Sequence, residues 1–211
     1  MGAATSSLGP MSVPAIAVLF GIYILGLDSM YGLVARNGYI DALIDLRHNG
    51  PQYLPGSTNP VLTHFTGIAL LDKLLTLAGV MFANVTDGSA PQLSLYGFYF
   101  AGQLVSIFTV IAIEGMREGN QGGIMALYPL WGCAMQGLGY GFTMPLWGIA
   151  HLLRSKTARK PRRTVAKAIK ITDLQSLETL PTALILGYFI PTLVMVVPVP
   201  SNTLHQWLGG L

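Results

Sequence analysis

Five stretches of this chain are apolar for close to the roughly 20 residues that an α-helix needs to cross a hydrocarbon core of about 30 Å. They run over residues 13–34, 65–85, 95–113, 124–153 and 180–199. Lipid offers no partner to a backbone N–H or C=O, so such stretches must close their own hydrogen bonds as helices. A membrane β-barrel would show segments of about 10 residues alternating in polarity. These are continuously apolar instead. Charged residues make up 10% of the 211-residue chain, against about 25% in soluble domains. Too few remain to coat five apolar segments in water. The fold class expected is therefore all-α: a multi-pass transmembrane helical bundle of about five helices, one domain over 1–211.

Charge is concentrated. Of 12 Lys and Arg residues, eight lie between Arg154 and Lys170. No aromatic side chain interleaves Arg154–Arg163, which argues against nucleic-acid binding. Lys and Arg stay on the cytoplasmic face, so 154–179 is expected as a basic cytoplasmic loop. Alternation then makes Glu114–Gly123 and the segment 35–64 lumenal, and Thr86–Ser94 and the N-terminus cytoplasmic. By this topology the pattern Asn84-Val85-Thr86 faces the side where no glycan is added. Gly9 and Pro10 precede the first stretch, and without a basic leader that stretch is expected to be retained. Gly38, Gly50, Pro51, Pro55, Gly56 and Pro60 forbid one long helix over 35–64, although Tyr39–Leu46 suits a short amphipathic one. Pro181 suits the first turn of the last helix and Pro191 a kink.

An ionisable group in hydrocarbon costs on the order of 2.5–3.5 kcal/mol and marks a functional candidate by default. Asp72 is the clearest, roughly 10 Å inside the second stretch at 1.5 Å per residue, with Lys73 about 100° away around the helix. Asp28 lies nearer a boundary. Glu114 closes the third stretch, followed at i+3 and i+4 by Arg117 and Glu118, then by Asn120 and Gln121 in a glycine-rich turn. Gln136 falls near the middle of the fourth stretch, and Tyr128, Trp131 and Tyr140 lie on the same stretch. Gly137-Leu-Gly-Tyr-Gly141 permits close helix packing. His64 and His151 have no second ligand at helical spacing, so no metal is expected, and no phosphate-binding loop occurs. Cys133, inside an apolar run, is expected to be a buried hydrophobe.

The order and spacing of several blocks resemble a known family. Gly67-Ile-Ala-Leu-Leu-Asp72, Glu114-x-x-Arg117-x-x-Asn120, Gln136, Met144-Pro-Leu-Trp147 and Leu180-Pro-Thr-Ala-Leu-Ile-Leu-Gly-Tyr-Phe-Ile-Pro-Thr192 are similar to the fungal integral-membrane terpene cyclase and epoxide hydrolase family. Its members include the cyclase of the ascofuranone pathway and the hydrolase of the aurovertin pathway, and they are longer than this chain. The resemblance implies opening of an epoxide on a lipophilic polyene or prenyl chain, in secondary metabolism and without a cofactor. It also suggests the endoplasmic reticulum as the membrane.

Such chemistry needs a proton for the epoxide oxygen and a base for the attacking group. Two carboxyls in different surroundings can divide these roles. Asp72, expected to be the deeper, suits the acid and Glu114 the base, although the two are interchangeable. Arg117 would hold Glu114 ionised. Asn120 and Gln136 would orient the substrate, and Tyr128, Trp131, Tyr140 and His64 would line its path. The expected partners are the lipophilic epoxide and the bilayer; oligomeric state is not readable. The alternative is a non-enzymatic carrier or assembly subunit, for which broken helices in matching halves would be the sign.

Overall fold

The computed structural model describes residues 12–48, 53, 60–86, 88–159, 162–171, 173–199 and 201–210. Gly9, Pro10, Gly50, Pro51, Pro55, Gly56 and Lys160 lie outside the described residues, as do the side chains of Arg162 and Arg163. Every regular element among the described residues is helical, and the two isolated bridges, Tyr53–Pro60 and Arg117–Ile171, build no sheet. The helices are α1 (Ser12–Arg36), α2 (Tyr39–His48), α3 (Ala69–Thr86), α4 (Pro91–Met116), α5 (Tyr128–Leu138), α6 (Tyr140–Arg154), α7 (Lys156–Arg159), α8 (Arg162–Ile169), α9 (Leu174–Met195) and α10 (Asn202–Gly210). Three of them, α1, α4 and α9, are long and apolar enough to cross a membrane. Phe98 on α4, 80% exposed, and Leu25 on α1, 67% exposed, are the outward-facing apolar surface that lipid would cover.

Residues 12–34 and 106–180 form one compact unit. Here the stretch 124–153 departs from the expected single span. Gly139 takes φ 84°, a left-handed conformation that only glycine adopts without strain, and the chain reverses there. At 11 residues, α5 is about 16 Å long, half a bilayer core. It is followed by α6 as the second arm of a hairpin. Thr143 at the start of α6 ties the arms by donating from Oγ1 to the Ala134 carbonyl at 3.2 Å.

Helix α1 packs antiparallel along α6. A Cβ on Gly26 would collide with the Gly141 backbone, Leu19 lies against Gly148, and Met30 covers Gly139 and Gly141. So Gly141 serves the expected helix contact, while Gly137 has nothing within 4 Å of its Cβ position. The Tyr31 hydroxyl donates to the Leu138 carbonyl at the break. A π turn at Asp28–Gly32 interrupts α1 at the same level.

Because of the hairpin, the 114–123 turn and the basic segment lie together at the end of α4 and not at opposite ends of one long helix. Both ends of 124–153 return to the end of α4. A Cβ on Gly115 would meet the Tyr128 ring at 2.7 Å. The Thr157 hydroxyl reaches Glu114, and the Glu118 amide donates to the Lys170 carbonyl at 2.9 Å. The basic segment is also partly helical, as α7 and α8. Cys133 is exposed on α5 and not buried. α9 begins at Leu174, capped by Asp173, so Pro181 lies inside it and not in its first turn. A π turn at Ile185–Phe189 precedes Pro191.

Residues 35–105 and 181–211 form the second unit. Gln206 on α10 fastens the loop before α3, accepting from the Leu62 amide at 2.7 Å and donating to the Pro60 carbonyl at 2.6 Å. Trp207 meets Phe65 edge-on at 5.2 Å. Val61 is buried against Leu46 and Val80. The Tyr188 hydroxyl donates to the Ala101 carbonyl at 2.7 Å. Residues 65–68 are not helical, so Asp72 sits in the first turn of α3 rather than two turns inside it.

Candidate functional site: a carboxylate gathered by four side chains

The site begins where α4 ends. Arg117 leaves the helix with an extended backbone (φ −66°, ψ 138°) and pairs with Ile171 in a bridge. Glu118–Asn120 then make one 3₁₀ turn. Gly119 sits so close to α8 that a Cβ there would lie 2.8 Å from the Ala168 Cβ and 2.9 Å from its carbonyl oxygen. Glu118 points away from the carboxylate of interest and pairs with Lys167 at 3.4 Å. Because the turn is this tight, Asn120 folds back beneath Glu114 and is 3% exposed.

Glu114, with 12% of its side chain exposed, is the centre. Asn120 Nδ2 donates to its backbone carbonyl at 2.7 Å and to its Oε1 at 3.1 Å. The Thr157 hydroxyl donates to the same Oε1 at 2.6 Å. Thr157 is itself set by Ser155, wholly buried, whose Oγ lies 2.6 Å from the Thr157 hydroxyl and accepts from the Thr157 amide at 3.1 Å. Arg117 Nε stands 2.8 Å from Glu114 Oε2, an ion-pair distance outside hydrogen-bond alignment. His151 Nδ1 stands 3.7 Å from Oε1, and its ring stacks on Trp147 one turn earlier in α6, centroids 5.3 Å apart and 11° from parallel.

The cluster is incompletely satisfied. Among the described residues, five buried side-chain polar atoms lack a hydrogen-bond partner: Arg117 Nε, Asn120 Oδ1, Trp147 Nε1, His151 Nδ1 and Ser94 Oγ. The first four belong to this one cluster. Buried polar groups in folded proteins are otherwise almost all paired, so the concentration points to a place where a ligand completes the set.

The remaining residues proposed from sequence fall elsewhere. Tyr128 lies beside Gly115 at the edge of the cluster. Trp131 spends its indole N–H on the Ile124 carbonyl at 3.0 Å. Gln136 and Tyr140 are exposed on the hairpin arms. His64 and Asp72 belong to the second unit. His64 is exposed, with Nδ1 3.0 Å from the Thr63 hydroxyl. Asp72 is 3% exposed. Its Oδ1 accepts from the Thr66 amide at 2.7 Å and the Thr66 hydroxyl at 2.9 Å, and its Oδ2 from the Gly67 amide at 3.2 Å. That geometry anchors the chain entering α3. The sequence reading weighed His151 only as a metal ligand and quoted Trp147 only within a family block, so neither was placed in the site, and it missed Ser155 and Thr157. The i, i+4 spacing of Trp147 and His151, which puts them on one helical face, was a further local signal. Among the described residues no group of three His, Cys, Asp or Glu converges as a metal site.

Comparison with known proteins gives a consistent result. The CtvD domain family matches residues 15–207. The chain is 28% identical over 188 residues to terpene cyclase ctvD of Aspergillus terreus, covering 89% of this chain and 51% of that protein. It is 31% identical over 185 residues to terpene cyclase ascI of Acremonium egyptiacum (87% and 46%). It is 29% identical over 197 residues to terpene cyclase janA of Penicillium janthinellum (93% and 53%). The chain thus spans about half the length of the curated relatives it matches. No solved structure gives a significant match.

Proposed function

This chain belongs to the CtvD-domain family, and on that premise we propose that it is a membrane-embedded terpene cyclase whose reacting centre is the Glu114 carboxylate. The observation that carries the reading is the gathering of Arg117, Asn120, Thr157 and His151 on one nearly buried carboxylate. The substrate class proposed is an epoxidised prenyl or polyene chain, and the relatives' names favour cyclisation over hydrolysis.

In this proposal Glu114, beside the Arg117 guanidinium, is the base, and His151, facing it, brings the proton. As the C–O bond of the epoxide breaks, the proton passes to the oxygen, which becomes a hydroxyl. The substrate's own π electrons attack the carbon left behind, and a proton lost from carbon or hydroxyl at the end of the ring closure passes to Glu114, which hands it back to His151, its Nδ1 3.7 Å from Oε1, so that both groups are reset. One proton is delivered and one collected, so the step is an isomerisation. General acid–base assistance of this kind is worth about 10²–10⁴-fold. Asp72, expected as the acid, is not retained in that role, because its oxygens are occupied in anchoring α3.

The same reading has consequences for topology. With 124–153 a hairpin and not a crossing, we propose three spans, α1, α4 and α9, in the endoplasmic-reticulum membrane. The antiparallel packing of α1 on α6 supports Ser12 at the basic face, together with the end of α4 and the start of α9. If Lys and Arg hold that face to the cytoplasm, the Glu114 site opens there too, and Thr86–Ser94, at the other end of α4, becomes lumenal. Cysteines introduced at Gln121 and Ala158 should then label from the same side in sealed microsomes; labelling from opposite sides overturns the topology. The functional test is Glu114→Gln in microsomes given the terminal epoxide of a prenyl chain. Turnover is expected to fall by about 10²-fold or more, and unimpaired turnover overturns the proposal.

A further inference from the structure

Three tryptophans occur in the chain, and two of them make an internal comparison. Trp131 donates its indole N–H to a backbone carbonyl at 3.0 Å. The Trp147 N–H is buried and donates to nothing. Its ring cannot swing freely to seek a partner, because it is stacked nearly parallel on His151. Its carrier α6 is fixed at Gly148 by Leu19, where a Cβ would lie 3.1 Å from a leucine methyl. A buried donor left unmade is expensive to the fold. Here it sits in the same cluster as Asn120 Oδ1, an unpartnered acceptor on a residue only 3% exposed.

We infer that Trp147 Nε1 is the donor to an oxygen atom of the bound ligand, with Asn120 Oδ1 the acceptor for a hydroxyl on it. This rests on the reading of the Glu114 cluster as the ligand site, and it specifies the ligand's chemistry. A plain hydrocarbon leaves both protein atoms unpaired. An ether or epoxide oxygen can only accept and satisfies Trp147. The hydroxyl formed when the ring opens both accepts and donates, so it satisfies Trp147 and Asn120 together. The pair therefore holds the opened form better than the closed one, the direction that favours reaction. The stacked imidazole keeps the indole plane in place, so His151 serves this seat as well as facing Glu114.

The test uses the full chain in phosphatidylcholine nanodiscs, with binding of two probes measured directly: farnesene carrying a terminal epoxide, and farnesene itself, a plain hydrocarbon. They differ by one oxygen. Wild type is expected to prefer the epoxide by about 10-fold or more, as sites built to pair an oxygen do. Trp147→Phe keeps an aromatic ring for the stack and deletes the N–H. It should bring the two probes to near parity without lowering the melting temperature, since a donor with no partner in the protein is lost. Trp147→His, which restores an N–H, should recover part of the preference, and Trp131→Phe should keep all of it. A wild type indifferent to the oxygen overturns the proposal whether or not the variants fold, and so does a Trp147→Phe protein that keeps the preference. Binding preference does not depend on turnover, so failure of Glu114 as a base and failure of this seat are read separately.

Discussion

Asp72, 3% exposed, and Glu114, with 12% of its side chain exposed, are both carboxylates at the ends of apolar helices, and by burial alone Asp72 would rank first. They differ in who satisfies them. The donors to Asp72 come from its own chain neighbours, Thr66 and Gly67 within six residues. Glu114 is reached by Asn120 six residues away, but also by His151 and by Thr157, 43 residues on. The first carboxylate is fully used by its own neighbourhood. The second is held by side chains that themselves retain unpaired atoms. A buried acid on an apolar helix is thus a weak signal of a site, and an acid whose partners have capacity left over is a stronger one.

That contrast can be broken by experiment. The widest separation is expected in turnover per folded molecule, where Glu114→Gln should lose about 10²–10⁴-fold and Asp72→Asn should stay within about threefold. Equal losses would erase the distinction. Next is Thr157→Val, which removes the 2.6 Å donor to Glu114. About tenfold slower turnover is expected from one hydrogen bond to a charged group, with Thr157→Ser restoring most of it. On the other side of the comparison, Thr66→Val should lower the melting temperature by about 3 °C and leave turnover alone.

The smallest effect concerns an exposed acid. The Ser176 hydroxyl, with its amide, holds the Asp173 carboxyl below its ordinary value. A group depressed in the folded state contributes stability above its unfolded value and loses it as pH falls through the folded one. The melting difference between wild type and Asp173→Ala, about 2 °C at neutral pH, should therefore shrink as the pH falls below the ordinary carboxylate value of about 3.9. A difference undiminished there would mean that Asp173 acts on α9 otherwise than as an ionised cap.

The helical class was legible because apolar length leaves no other solution in lipid. Glu114, Arg117 and Asn120 were legible because an i, i+3, i+6 spacing at a helix end stays local whatever the rest of the chain does. The fourth stretch was not. Thirty apolar residues read as a long tilted span, and Gly139 looks the same in sequence whether it smooths a helix contact or breaks the helix. With the hairpin hidden, the return of His151 and Thr157 to Glu114 was hidden too, because no spacing rule links positions 37 and 43 apart. The depth assigned to Asp72 failed for a smaller reason: Thr66 and Gly67 form the anchoring loop and not the first helical turn.

The π turn at Asp28–Gly32 gives α1 one residue more than a regular ladder would hold. An in-frame loss of a single codon there would yield a smoother rod, still apolar and still long enough to be inserted. The helix on either side would stay in phase, because the bulge is what absorbs the extra residue; the residues within it would shift, carrying the Tyr31 hydroxyl off the Leu138 carbonyl. The cell would then make a chain that keeps its long apolar helix yet has lost the latch on its hairpin. Protease nicking near Gly139, absent from the parent, would expose such a lesion where expression level would not.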